Sequence, residues 1–194
     1  MRLYGPRVSG VGTWLLAWLC QSLSPDANAT QIGALRLARI DMVVLHSTGG
    51  PTCDSATNQL VWVKAGTLES NMKVIEAHPK LGVHYMIDRD GTLRASVPEG
   101  RLAHHVFTYS GRSIGIELIN DGDGLDPFPS AQLDAVVTLL VDIRKRRHIL
   151  RSGIKRHSDL DHATLPCATG QRRKVDPGDA FPFDQILDRV FSER

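Results

Sequence analysis

The sequence predicts an α/β fold of the α+β type: a single domain with a mixed central β-sheet flanked by helices. Three observations predict it. Two apolar, β-branched runs, 40–45 (IDMVVL) and 113–120 (SIGIELIN), have the composition of buried strands. Residues 89–92 (RDGT) carry an Asp-Gly pair between two strand-like segments, a strong hairpin signal. After Ser130, apolar residues recur every three or four positions, as on a helix with one buried face. Strands with interspersed helices and a hairpin give a mixed sheet with helical cover.

Taken in order, residues 1–29 read as a secretory leader. Arg2 and Arg7 supply the positive start, and 11–20 (VGTWLLAWLC) is apolar. Ser24-Pro25 breaks a helix, and Ala27-Asn28-Ala29 offers a cleavage site before Thr30. The apolar stretch is short of the ~20 residues that span a bilayer. Leu19 before Cys20 fits a lipoprotein site poorly, because a small residue is wanted there. The expectation is export to a periplasmic or extracellular compartment, with an uncleaved N-terminal anchor as the alternative. The remaining 30–194 forms the domain.

The run 40–45 reads as a buried strand delivering His46 to a loop, with Gly49-Gly50-Pro51 as a turn. Residues 67–77 read as a helix with Leu68, Met72 and Ile75 on one face. Segments 83–88 and 93–97 form the hairpin. In 113–120, Ile114, Ile116 and Leu118 share one face, and Gly115, Glu117 and Ile119 the other. That pattern is a central strand with one acidic residue turned toward a site. Ser130 is placed to cap a helix carrying Leu133, Val136, Val137, Leu140 and Ile143, which ends near His148. Residues 161–170 read as irregular, and 184–191 as a closing helix. There is no internal repeat and no low-complexity segment.

Composition agrees with one domain holding a real core: 194 residues, 42% hydrophobic and 23% charged. The formal charge is +2, and without the leader 21 basic residues face 20 acidic ones. That balance is too near neutral to argue for nucleic acid or a membrane surface as partner. The basic run 144–147 suits a helix C-terminus. Beyond the leader only Cys53 and Cys167 remain, in a chain bound for an oxidising compartment. Spacing leaves both a disulfide and two separate thiols open.

Eight histidines are present, and context selects among them. His46 ends a buried strand, and His157 follows a short apolar approach. Asp176 stands in a rigid Pro-Gly turn (KVDPG, 174–178). Two imidazoles and a carboxylate can hold Zn²⁺ and leave a fourth position for water. The stretches VVLHSTGG (43–50), GVHYMIDRDGTL (82–93), AHH (103–105), SIGIELIN (113–120), RHSD (156–159) and KVDPG (174–178) occur in that order. Together they resemble the type 2 N-acetylmuramoyl-L-alanine amidases, the group that includes phage lysozyme-type amidases and animal peptidoglycan-recognition proteins.

The resemblance implies a zinc site in a cleft at the strand ends, with His46, His157 and Asp176 as ligands. It implies catalytic roles for Glu117 and Lys174 and a substrate-binding role for His105. The implied substrate is peptidoglycan or a muropeptide, cut at the bond between the lactyl group of N-acetylmuramic acid and L-alanine. Asp159 is expected to support the site from behind, holding nearby backbone or an imidazole N–H, and His84 to pack within its strand. His78, His148 and His162 receive no role. Some members have a tyrosine where this chain has Val83, which shifts the catalytic burden to Glu117. Segment 160–173 looks longer than in compact members. A Cys53–Cys167 bond would tie it to the loop after His46. The rival readings are a non-catalytic peptidoglycan-binding module and a zinc peptidase acting on the stem peptide.

Overall fold

The computed structural model describes residues 34–36, 38–78 and 81–192, so the expected leader lies outside the described residues. Its strands are β1 (Met42–Ser47), β2 (Gly50–Cys53), β3 (Leu60–Val63), β4 (Tyr85–Ile87), β5 (Leu93–Ala95), β6 (Ser113–Leu118), β7 (Ile154–Arg156), β8 (Thr164–Leu165) and β9 (Ala168–Arg172). Among the described residues three α-helices accompany them: α1 (Leu68–Ala77), α2 (Ser130–Arg147) and α3 (Phe183–Ser192).

Five strands make the central sheet, in the order β5-β4-β6-β1-β7. All neighbours run parallel except the β4–β5 hairpin, so the sheet is mixed as expected. β1 and β6, the two apolar runs, lie at its middle and are buried on both faces, as parallel strands are. Val43, Leu45, Ile87, Ile114, Ile116 and Leu118 pack against α2 and α3. On the other face Met42 and Val44 meet Val106, while Met86 joins Leu68 and Ile75 of α1. Period-two alternation puts His46 on this second face with Met42 and Val44. Glu117 pairs in register with His46 across the parallel ladder.

Helix α1 forms because Thr67 and Ser70 satisfy each other's backbone amides in a capping box. In α2, Val136, Val137, Leu140 and Ile143 are buried as the 3.6 period requires, each contributing about 1.5–3 kcal/mol. Gln132 is fully buried there, and its Nε2 donates to the Ile87 and Ile119 carbonyls, at 3.0 and 3.2 Å, where β4 and β6 end. Among the described residues, no helix is long and apolar enough to cross a membrane.

Several local expectations are corrected. β1 runs through His46 to Ser47, so the histidine sits on the strand itself. Residues 50–53 are a strand rather than a turn, paired antiparallel with β3. Ser130 is the first helical residue, and Pro129 occupies the cap position without a side-chain bond. Segment 161–170 holds most of a second hairpin, β8–β9. The two hairpins are joined by a Cys53–Cys167 disulfide with a Cα–Cα distance of 5.9 Å.

Candidate metal centre

Three segments meet where the parallel strands end. β1 brings His46. The single 3₁₀ turn after β7 brings His157, and its Ser158 N–H donates to the Asp176 carbonyl at 3.0 Å. That bond holds the turn carrying His157 against the loop carrying Asp176. His46 Nδ1 is 2.9 Å from His157 Nδ1 and 3.2 Å from Asp176 Oδ2, and His157 Nδ1 is 2.9 Å from the same oxygen. The three residues are 3%, 4% and 6% exposed.

This triangle fits a zinc ion. Ligand atoms at 2.0–2.1 Å in a tetrahedron lie about 3.3 Å apart, close to all three edges. Burial pulls the His46 imidazole down to about 4 against the pull of its Asp176 hydrogen bond, so it stays neutral and able to ligate. Burial would raise the Asp176 carboxyl, but hydrogen bonds from His157 and His46 outweigh that and hold it far below the usual carboxylate range. Two imidazole nitrogens and one carboxylate oxygen are a donor set that zinc takes.

The triangle forms one end of a cleft of about 400 Å³ whose walls differ in chemistry. Val63, Val74 and Leu81 give an apolar rim, all largely exposed. Glu117, His104, Arg173 and Lys174 supply polar groups. Burial, then the negative charge of Asp176, pushes the Glu117 carboxyl up to about 8, and Lys174 opposes both. Lys174 also lowers His46 through its charge, which places its ammonium within electrostatic reach of the metal position. A second cavity of about 460 Å³ lies beside Arg36, Glu99, Arg146 and Arg147. Its guanidinium donors are largely spent on Glu99 and on backbone carbonyls, the pattern of a structural ion network.

The five residues His46, His157, Asp176, Glu117 and Lys174 therefore share one site. His105 lines the cleft too, yet both of its ring nitrogens point into the protein. Nδ1 is 3.0 Å from His46 Nε2, and Nε2 is 3.1 Å from Ser113 Oγ. Asp159 accepts from the Arg156 amide at 3.0 Å and from the Arg156 guanidinium, so it holds backbone rather than an imidazole. His84 is fully buried, and its Nδ1 accepts from the Gly115 amide at 3.0 Å. Sequence reasoning missed Ser113 and the apolar rim. Gly115, a lone glycine inside a β-branched strand, was the available signal for Ser113's partner: such glycines mark a close approach. The run LVWV (60–63) was the signal for the rim.

The profile of a family described as N-acetylmuramoyl-L-alanine amidase matches residues 36–179. The amidase AmiD of Escherichia coli (strain K12) is 34% identical over 105 residues, covering 46% of this chain. The match spans about a third (35%) of AmiD's length. The fold resembles that of LysC, an N-acetylmuramoyl-L-alanine amidase from Clostridium intestinale URNW, with a TM-score of 0.59 and 21% identity over 84% of this chain and 94% of that one. It resembles AmiD bound to anhydro-N-acetylmuramic acid-L-Ala-D-gamma-Glu-L-Lys with a TM-score of 0.59 and 24% identity, over 80% and 60% of the two chains. PGRP-SA of Apis mellifera matches with a TM-score of 0.55 and 16% identity, over 83% and 90%.

Proposed function

From the premise that the chain belongs to the N-acetylmuramoyl-L-alanine amidase family, we propose that it is a zinc amidohydrolase acting on peptidoglycan or muropeptides. The bond cut is the amide between N-acetylmuramic acid and L-alanine. The observation that carries this reading is the convergence of three buried donor atoms, from His46, His157 and Asp176, beside Glu117 and Lys174 in one cleft.

When bound, zinc supplies Lewis acidity, which acidifies water and polarises a carbonyl. His46, His157 and Asp176 would hold it. Glu117 stands on the strand next to His46, half-buried at the cleft wall, where a carboxylate can take the proton of the attacking water. It then delivers that proton to the departing nitrogen of L-alanine. Lys174 places a positive charge where the carbonyl oxygen becomes negative in the tetrahedral intermediate. The apolar rim and the cationic side of the cleft would hold a substrate that is part sugar and part peptide.

The reading extends to place. Residues 1–29 act as an export leader, 30–194 are the catalytic domain, and the enzyme works outside the cytoplasm in cell-wall turnover, remodelling or lysis. The Cys53–Cys167 disulfide supports an oxidising destination.

The test is to incubate the full chain with a defined muropeptide, with and without a chelator, and identify the fragments. The reading expects free sugar and an intact stem peptide beginning with L-alanine, lost on chelation and restored by zinc. Shortened stem peptides would point to a peptidase, and no cleavage to a binding module.

A further inference from the structure

We propose that His105 is a positioning residue for the metal ligand His46, acting through a one-way chain of hydrogen bonds that starts at the Tyr109 carbonyl. The proposal rests on the reading of His46, His157 and Asp176 as zinc ligands.

The direction of the chain follows from which atoms can donate. The Tyr109 carbonyl can only accept, and Ser113 Oγ lies 2.8 Å from it, so the single hydroxyl hydrogen of Ser113 is committed there. Ser113 Oγ, 3.1 Å from His105 Nε2, must then accept, and His105 carries its proton on Nε2. His105 Nδ1 is left with a lone pair facing His46 Nε2 at 3.0 Å, so His46 donates from Nε2. A neutral imidazole with its proton on Nε2 has its lone pair on Nδ1, the atom that faces His157 and Asp176. Reversing any link would set two acceptors against each other at hydrogen-bond distance. His46 Nδ1 faces the Asp176 carboxylate at 3.2 Å, so only with a cation at that corner would every link of the chain join one donor to one acceptor, which is how the fold would favour the ligating tautomer.

The packing serves the same end. The His105 ring crosses that of His46 at 86°, with centroids 5.1 Å apart. It lies directly on Gly115, where an added Cβ would come within 2.6 Å of the ring. A glycine in the middle of β6 is what lets His105 reach His46. Partners of this kind orient ligating histidines and raise their basicity, and losing one weakens metal binding about 10–100-fold.

The experiment measures zinc affinity of the full chain by competition with a chromophoric chelator, for the unaltered protein and for His105→Leu, His105→Asn and Ser113→Ala, with a melting curve for each. His105→Leu is expected to weaken zinc binding about 10–100-fold, and Ser113→Ala by about tenfold, the lower end of that range. His105→Asn, whose amide oxygen can accept from His46 Nε2–H, is expected to recover most of the loss. Unaltered affinity in a folded His105→Leu protein overturns the proposal, as does an Asn variant as weak as the Leu variant. If the Leu variant does not fold, Ser113→Ala decides alone, and unchanged affinity there overturns the relay. Failure of the unaltered chain to take up zinc overturns instead the metal-site reading beneath it.

Discussion

Replacing Glu117 with Gln isolates the proton-transfer role from every other property of the site. The side chain keeps its size and its place in register with His46, so β6 and the cleft wall are unchanged. Its carboxyl is not among the three converging donor atoms, so zinc content should remain one per chain. What disappears is a carboxylate able to accept a proton, a role worth about 10²–10⁴-fold in kcat. At 1.36 kcal/mol per tenfold, that is roughly 2.7–5.4 kcal/mol of barrier. The assay pairs release of stem peptide from a purified muropeptide with zinc analysis of the same sample. Near-normal turnover would refute the assignment, and loss of zinc together with turnover would refute the claimed separation of the two roles.

The same residue gives a stability test of opposite sign. The Glu117 carboxyl is raised from 4.5 to about 8 in the metal-free protein. A raised carboxyl contributes stability that is present below 4.5 and is lost as pH climbs through about 8. Metal-free Glu117→Gln should therefore melt above the unaltered protein at pH 9, with the gap closing at acid pH. A residue that lowers stability when charged yet drives turnover marks the cost of function.

Three further outcomes follow from the fold. Burial would raise Glu99, but Arg146, Arg147 and Tyr85 hold it down at about 2, so its contribution is present above 4.5 and fades as pH falls toward 2. With solvent screening of the half-exposed guanidiniums allowed for, that is about 1–2 kcal/mol, and acid titration of Glu99→Gln should show a correspondingly smaller loss over that window. Serine at Cys53 and Cys167 releases a link across 114 positions and should lower stability by about 2–4 kcal/mol, read as a fall in denaturant midpoint. Gln132→Leu takes the side-chain donor from the Ile119 carbonyl, while the Ile87 carbonyl keeps the Ile119 amide, and should cost about 1–3 kcal/mol in the same measurement.

How much of this was legible beforehand depends on where the information lay. The core was legible because its pattern is local: Ile114, Ile116 and Leu118 alternate, and Val136, Leu140 and Ile143 repeat at the helical period. Glu117 was legible for the same reason, as the acidic residue on the other face of an apolar strand. His157 and Asp176 were legible mainly through family resemblance, since nothing local says that residues so far apart meet at 2.9 Å. The β2–β3 and β8–β9 hairpins escaped. Their strands read GPTC and ATGQR, and the four residues of β3 are all exposed, so no buried face imposes an alternation. They are held by cross-strand pairing and by the disulfide. His105 was found, but its partner was not, because the contact with His46 exists only once the ring is seated on Gly115.

The central claim is most directly tested by diffraction data collected on either side of the zinc absorption edge from crystals of the zinc-loaded chain. The account predicts one anomalous peak, about 2.0–2.1 Å from His46 Nδ1, His157 Nδ1 and an Asp176 carboxylate oxygen, opening toward Glu117. A peak bound by other residues, or none at full zinc loading, would contradict it.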